Sequence, residues 1–196
     1  MGIENVKQGK LIYHLTKLSN LDSILELGLL PREDMLKKNI SFDDVANKEI
    51  ITKRSMLGLN KYTPFHFHPF SSFDVAVKNT YNNENFIYIC LLRTVARNNG
   101  FKILPRHPLN MDECILMDYD EGIQAIDWDI MQKKGLDDDN AKQIKMAECL
   151  TDLIVPVNCF QCIYVKNEEI KEIVEKKLKE HGVERKPPFV DIMPWV

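Results

Sequence analysis

Long apolar runs are missing from this chain. Nowhere do about 18 uncharged hydrophobic residues follow one another, the length a helix needs to cross a bilayer, so no membrane span is expected. The N-terminus, Met1-Gly2-Ile3-Glu4-Asn5-Val6-Lys7, lacks the charged-then-apolar layout of a secretory signal, and cytoplasmic residence is the expectation. An excess of basic residues is missing too. A formal net charge of -3 and a pI near 6.0 exclude nonspecific coating of DNA, because counterion release needs a broad basic surface. A local basic groove stays open. No paired disulfide framework is visible: Cys90, Cys114, Cys149, Cys159 and Cys162 form an odd set mostly in apolar runs, which suits reduced, buried thiols. There is no HExxH, no paired CxxC and no internal repeat.

What is present suits one compact domain, since 196 residues with 44% hydrophobic content can build a full core. Period-2 alternation in Ile12-Tyr13-His14-Leu15-Thr16 predicts a strand with Ile12, His14 and Thr16 on one face. A short helix follows, capped by Ser19 or Asn20 with Asp22 as a capping-box partner and stopped at Gly28. Residues 31–60 read as an irregular or partly helical excursion, polar and without a clear period, of the kind that serves as a lid or binding loop. In Tyr62-Thr63-Pro64-Phe65-His66-Phe67-His68-Pro69-Phe70, a strand would put Phe65 and Phe67 on one face and His66 and His68 on the other, with the prolines marking its ends or a sheet edge. Phe86 to Leu92 reads as a central strand buried on both faces.

Further on, Pro105, His107 and Pro108 signal loop, and Ala125 to Met131 reads as the start of a helix. Asp137-Asp138-Asp139-Asn140 caps a helix over Ala141 to Ala147, closed by Glu148. Phe160 to Val165 reads as a late strand. Asn167 caps a final amphipathic helix to about Glu180, with the apolar stripe Ile170, Ile173, Val174 and Leu178 and an end at Gly182. Lys186 to Val196 is expected to be a surface strap with Trp195 packed back on the body.

Several residues carry candidate chemistry. His14 beside Thr16 can hydrogen-bond a ribose diol or a carboxamide, or the imidazole can be a core group satisfied by a local carbonyl. His14, His66, His68 and His107 could in principle meet as metal ligands, but paired imidazoles at i and i+2 are a weak signal, and no metal is expected. Cys159 and Cys162 have redox-like spacing in an apolar strand rather than at a helix N-terminus, and Cys149 points most simply into a core. Glu148 is a lone carboxylate between a charged helix and an apolar segment, where acids are either ion-paired or functional. With the His/Thr strand and Arg54 it supplies the ingredients for leaving-group chemistry on NAD. Cleaving the nicotinamide-ribose bond passes through an oxocarbenium-like state that a carboxylate stabilises, while a cation pairs with pyrophosphate or acceptor.

Four blocks, Tyr13 to Thr16 with Asn20-Leu21 and Ile24-Leu25, Tyr62 to Pro69, Asp127-Trp128-Asp129, and Lys145 to Leu150, stand in the order in which the DarT family carries them. The chain resembles that family over most of residues 11–166. DarT proteins are toxins that move ADP-ribose from NAD to a base in single-stranded DNA. The resemblance implies an α+β fold, a single domain over residues 1–196 with its core at about 11–180, built on a mixed central sheet of ADP-ribosyltransferase type with surrounding helices. It implies NAD as co-substrate, single-stranded DNA as partner and a separately encoded antitoxin. By position, His14, Leu15 and Thr16 hold NAD, with Ser23 and a residue near Pro31 as further contacts. Met35 to Arg54 folds over NAD, Arg54 falls on the catalytic arginine that also touches NAD, and Glu148 falls on the catalytic glutamate. The substrate-reading segment runs from about His107 to Glu148. Arginine is a poor base, so Arg54 is expected to polarise the acceptor while Glu148 assists proton removal.

Two departures stand out. Phe70-Ser71-Ser72 replaces an arginine often found after Pro69, and His107 to Glu121 matches poorly, which leaves thymine and guanine both open as acceptors. Transfer to RNA or protein is the alternative within the same fold. A noncatalytic module that stacks bases on the aromatic block is the alternative outside it.

Overall fold

The computed structural model describes residues 5–46, 48–107, 115–133, 138–194 and 196, with Ser72 described by its backbone alone. The readings made for Cys114, Asp137 and Trp195, and part of the substrate-reading segment, lie outside the described residues. The chain runs β1 (Leu11–Lys17), α1 (Leu21–Leu27), α2 (Arg32–Lys37), α3 (Lys48–Met56), β2 (Thr63–His66), α4 (Ser72–Thr80), β3 (Phe86–Leu92), α5 (Arg93–Asn98) and β4 (Lys102–Leu104). It continues through α6 (Tyr119–Ala125), α7 (Trp128–Gln132), α8 (Asp139–Lys145), β5 (Glu148–Thr151), β6 (Cys162–Val165), α9 (Glu168–Glu180) and β7 (Phe189–Ile192). The strands form one seven-stranded sheet in the order β4-β5-β2-β1-β3-β6-β7. Every pairing is antiparallel except β6 with β7, so the sheet is mixed and the fold is α+β, as expected.

The middle of the sheet follows from apolar patterning. β3 is buried along nearly its whole length, and its alternate side chains feed two cores on opposite faces. Ile87, Ile89 and Leu91 join Ile12, Phe65 and the helix residues Ile24, Trp128, Ile170 and Val174. Phe86, Tyr88 and Cys90 join Leu15, Val77 and Cys162. α4 starts on a full capping box between Ser71 and Asp74. Just before it Phe70 takes a positive φ of 72°, a turn conformation that lets the chain leave β2 for the helix. Arg93 donates to the carbonyls of Val6, Lys7, Leu11 and Phe67 and lies over the rings of Phe67 and Trp128, tying the N-terminal segment to the end of the β2 chain.

Several expectations need correction. Pro64 sits within β2 in the sheet interior, not at an edge. β1 pairs with β2 only at Tyr13 and His66, whereas with β3 it pairs from Leu11 to Lys17. Proline offers no N–H, and its carbonyl is taken by the His14 ring instead of by β1 backbone, so the ladder opens at Pro64. β2 ends at His66, so the alternation stops there, and His68 turns to donate to the Pro69 carbonyl at 2.7 Å. Glu148 does not close α8 but opens β5, opposite His66. The expected helix start at Ala125 is a break between α6 and α7, where Asp127 caps the second helix. The missed β4 and α6 pack so closely that a Cβ on Gly122 would collide with Ile103.

The box proposed for α1 is not formed, because Asn20 uses its side chain elsewhere and Asp22 reaches Lys177 and His181. Gly28 does end that helix, at a φ of 82°. α8 begins as expected, with Asp138 accepting from Ala141 N–H, and Asn167 caps α9. The stripe of α9 is Ile170, Val174 and Leu178 at i, i+4 spacing, with Ile173 exposed. The tail is not a strap: Phe189–Ile192 extends the sheet beside β6.

Candidate active site

The opening between β1 and β2 leads into a concave cavity walled by β1, β2, β5, the α1 region and the 31–60 excursion. β1 contributes His14, Leu15 and Thr16, the α1 region Asn20 and Ser23, β2 Pro64 and His66, and β5 Glu148; the 31–60 excursion closes the rest with Arg32, Met35, Phe42, Asp43, Asp44 and Arg54. His14, Leu15, Thr16, Ser23, Arg54 and Glu148, singled out along the sequence, are thus brought to one cavity. Pro31 is the exception. It precedes α2 as its N-cap, and the wall beside it is formed by Leu30 and Arg32.

At one end lies a buried ion pair. Arg54 Nη1 donates to both carboxylate oxygens of Glu148, at 2.7 and 2.8 Å. Glu148 is 2% exposed. Burial works to raise its pKa, but the charge of Arg54, with His107 and His66 nearby and the Arg54 hydrogen bond, outweighs it, and the carboxyl is held below its ordinary value. His107 Nε2 lies 3.8 Å from Glu148 Oε1. Burial drives the His107 pKa down to about 4 against the pull of that carboxylate, so the imidazole is neutral near pH 7. His66 faces the same side of the sheet as Glu148 and stacks on Phe73.

His14 is satisfied by a local carbonyl, as one of its two readings expected. Its Nδ1 lies 2.8 Å from the Pro64 carbonyl, and since a carbonyl only accepts, Nδ1 carries the proton. Burial lowers its pKa to about 4, with the Pro64 bond opposing and His66 assisting. The ring is therefore neutral and leaves Nε2 as an acceptor.

The excursion is fastened over the cavity by groups that the sequence points to as a helix cap and a charged loop. The Asn20 carboxamide donates to the Asp43 carbonyl at 3.0 Å, accepts from the Asp43 N–H at 2.8 Å, and donates to Thr16 Oγ1 at 3.1 Å. Ser19 donates to the Asp43 carboxylate, and Arg32 to that of Asp44 at 2.6 Å. Among the described residues seven buried side-chain polar atoms lack a partner, and five of them, on Arg32, Arg54, Asn60, Thr63 and His66, belong to residues that line this cavity. Unmatched donors and acceptors gathered in one place mark a site built for a polar ligand. Among the described residues no group of three or more His, Cys, Asp or Glu side chains could hold a metal ion. Cys149 is buried at the β5 ladder away from the cavity, and burial pushes its thiol up, which makes it inert as a nucleophile.

A family model described as ssDNA thymidine ADP-ribosyltransferase, DarT, matches residues 13–194. Comparison of the sequence with curated proteins gave no match. Among solved structures, Thermus sp. 2.9 DarT in complex with ADP-ribosylated ssDNA superposes with a TM-score of 0.81 at 22% identity, covering 95% of this chain and 95% of that one. The same Thermus protein in complex with NAD+ gives 0.76 at 22% identity over 94% and 96%. Thermosipho africanus DarTG in complex with ADP-ribose gives 0.74 at 18% identity, covering 95% of this chain and 50% of that one. At these identities the solved structures establish a shared fold.

Proposed function

Since the chain belongs to the DarT family of ssDNA thymidine ADP-ribosyltransferases, we propose that it transfers ADP-ribose from NAD to thymine in single-stranded DNA, with Arg54 and Glu148 as its catalytic pair. The observation that carries the reading is the buried Arg54 and Glu148 pair in a cavity that His14, Leu15 and Thr16 also line. Relatives of the same fold are described with NAD+ and with ADP-ribosylated ssDNA. The unmatched polar atoms around the cavity fit so polar a molecule.

In the reaction the bond between nicotinamide nitrogen and ribose carbon breaks, and nicotinamide leaves with the bonding electrons. A base nitrogen forms the new bond to that carbon and loses one proton. Glu148, ionised through its partners, supplies fixed negative charge beside the oxocarbenium-like carbon and can steer that proton out. Arg54 positions Glu148 and polarises the acceptor base, since a guanidinium holds its proton too tightly to serve as a base. The neutral His14 offers Nε2 to a hydroxyl of NAD, with the Thr16 hydroxyl beside it, and Ser23 and the segment next to Pro31 complete the NAD contacts.

We place the protein as the toxin of a toxin-antitoxin pair whose separately encoded partner removes the mark. Its DNA substrate requires a cytoplasmic enzyme, and among the described residues no helix is long and apolar enough to cross a membrane. Mass spectra of oligonucleotides that differ only in one base, incubated with NAD, test the reading. An adduct on the thymine oligonucleotide is expected. An adduct confined to guanine would overturn the base assignment, and labelling of RNA or protein in preference to DNA would overturn the acceptor. Growth arrest on expression, relieved by Glu148→Ala, is expected of a toxin.

A further inference from the structure

We propose that Arg32 is the pyrophosphate-binding residue of this cavity and that Asp44 occupies its guanidinium in the unliganded chain, to be exchanged for the ligand's phosphates. The inference rests on the NAD reading above and deepens it, giving a phosphate-binding role to Arg32, next to the Pro31 position expected to lie near NAD. Charge leads to it. A pyrophosphate brings two negative charges, and among the described residues lining the cavity Arg32 and Arg54 are the permanent cations. Arg54 is committed to Glu148 through two contacts, in a pair 12% and 3% exposed. Breaking that pair would leave a buried carboxylate uncompensated, so the Arg54 charge is already offset by Glu148.

Arg32 is differently held. Its Nη1 pairs with Asp44 in a bridge about a quarter exposed on each side, 26% and 27%, where water weakens the attraction. Its Nε is buried without any partner although the residue lines the cavity. A guanidinium that gives one nitrogen to a carboxylate while its Nε has no partner is half-used, and the planar fork matches two phosphate oxygens. The Phe42 ring lies 5.6 Å from the guanidinium carbon, which keeps the group against the cavity wall rather than in bulk water. Asp44 presents the same kind of anionic oxygen that a phosphate would. Its other oxygen accepts from the Ala46 N–H at 2.9 Å, so this carboxylate keeps a backbone partner when Arg32 departs.

Titration calorimetry with ADP-ribose and with adenosine, which lacks the phosphates, tests the exchange on the full chain. Arg32→Gln is expected to weaken ADP-ribose binding about 10- to 100-fold, the range for loss of a charged hydrogen-bonded contact, with adenosine binding changed less than about 2-fold. Arg32→Lys, which keeps charge without the fork, is expected to fall between Arg32→Gln and the unaltered protein. Asp44→Asn is expected to tighten ADP-ribose several-fold, since the competing anion is gone. Arg32→Gln binding ADP-ribose as well as the unaltered protein, or losing both ligands equally, would overturn the assignment. Weaker ADP-ribose binding by Asp44→Asn would overturn the exchange. If the unaltered protein binds neither ligand, it is the NAD reading that falls.

Discussion

The two sides of β1 are built on opposite principles. Toward β3 the strand pairs without a break from Leu11–Leu92 to Lys17–Phe86, and apolar side chains fill both faces. Toward β2 it makes a single pairing, and the gap holds His14, a proline carbonyl and the mouth of the cavity. Backbone groups satisfied by a ladder need no side chains, so the first side is apolar and rigid. Where the ladder opens, side chains must satisfy the backbone, and the same polar groups become available to a ligand. The sheet therefore supplies its own site by leaving one pairing unmade next to a proline.

The contrast can be broken from the rigid side. Leu91→Ala, in a fully buried position of β3 opposite Ile12, is expected to cost about 2–5 kcal/mol of stability in denaturant titration while the folded fraction keeps its turnover, because neither residue lines the cavity. A loss of turnover without loss of stability would show that the two sides are not separable.

Acid attacks the open side. His14 and His107 are held near a pKa of about 4, below the ordinary 6.5, so each binds fewer protons folded than unfolded between those values. Their contribution is complete above pH 6.5 and is lost as pH falls toward 4, by up to about 3 kcal/mol for each histidine. Thermal melts across that window are expected to show a falling Tm, and the slope should shrink in His14→Gln. An unchanged slope would mean that His14 is not buried in the neutral form. A smaller effect sharpens the comparison: Asn20→Ala removes the two-point hold on Asp43. It is expected to raise KM for NAD about 10-fold with a Tm shift of only a few degrees, since about 1–2 kcal/mol of hydrogen bonding is lost from a surface segment.

Legibility in the sequence follows the same divide. Phe86 to Leu92, the 11–17 strand, the Gly28 stop and the Asn167 cap announce themselves because local periodicity and local caps decide them. Pro64 misleads, since an edge is the ordinary place for a strand proline and only tertiary structure reveals a ladder interrupted there. Glu148 was visible as an isolated acid, but its place on β5 opposite His66 depends on a pairing 82 residues distant in sequence order, which no local pattern encodes. Asn20 and Arg32 carried signals that pointed elsewhere, to a helix cap and to a charged loop. Their work depends on how residues 38–46 lie over the cavity, and that long-range contact has no period to read.

The most direct test of the shared cavity compares unaltered and Glu148→Gln protein on one thymine-containing single strand with NAD, following adduct formation by mass. Glu148→Gln keeps the shape and removes the charge that Arg54 and the transition state both require. The unaltered protein is expected to form the adduct and Glu148→Gln to form it at about one hundredth of the rate or less. Equal rates would contradict the assignment of this carboxylate to the chemistry.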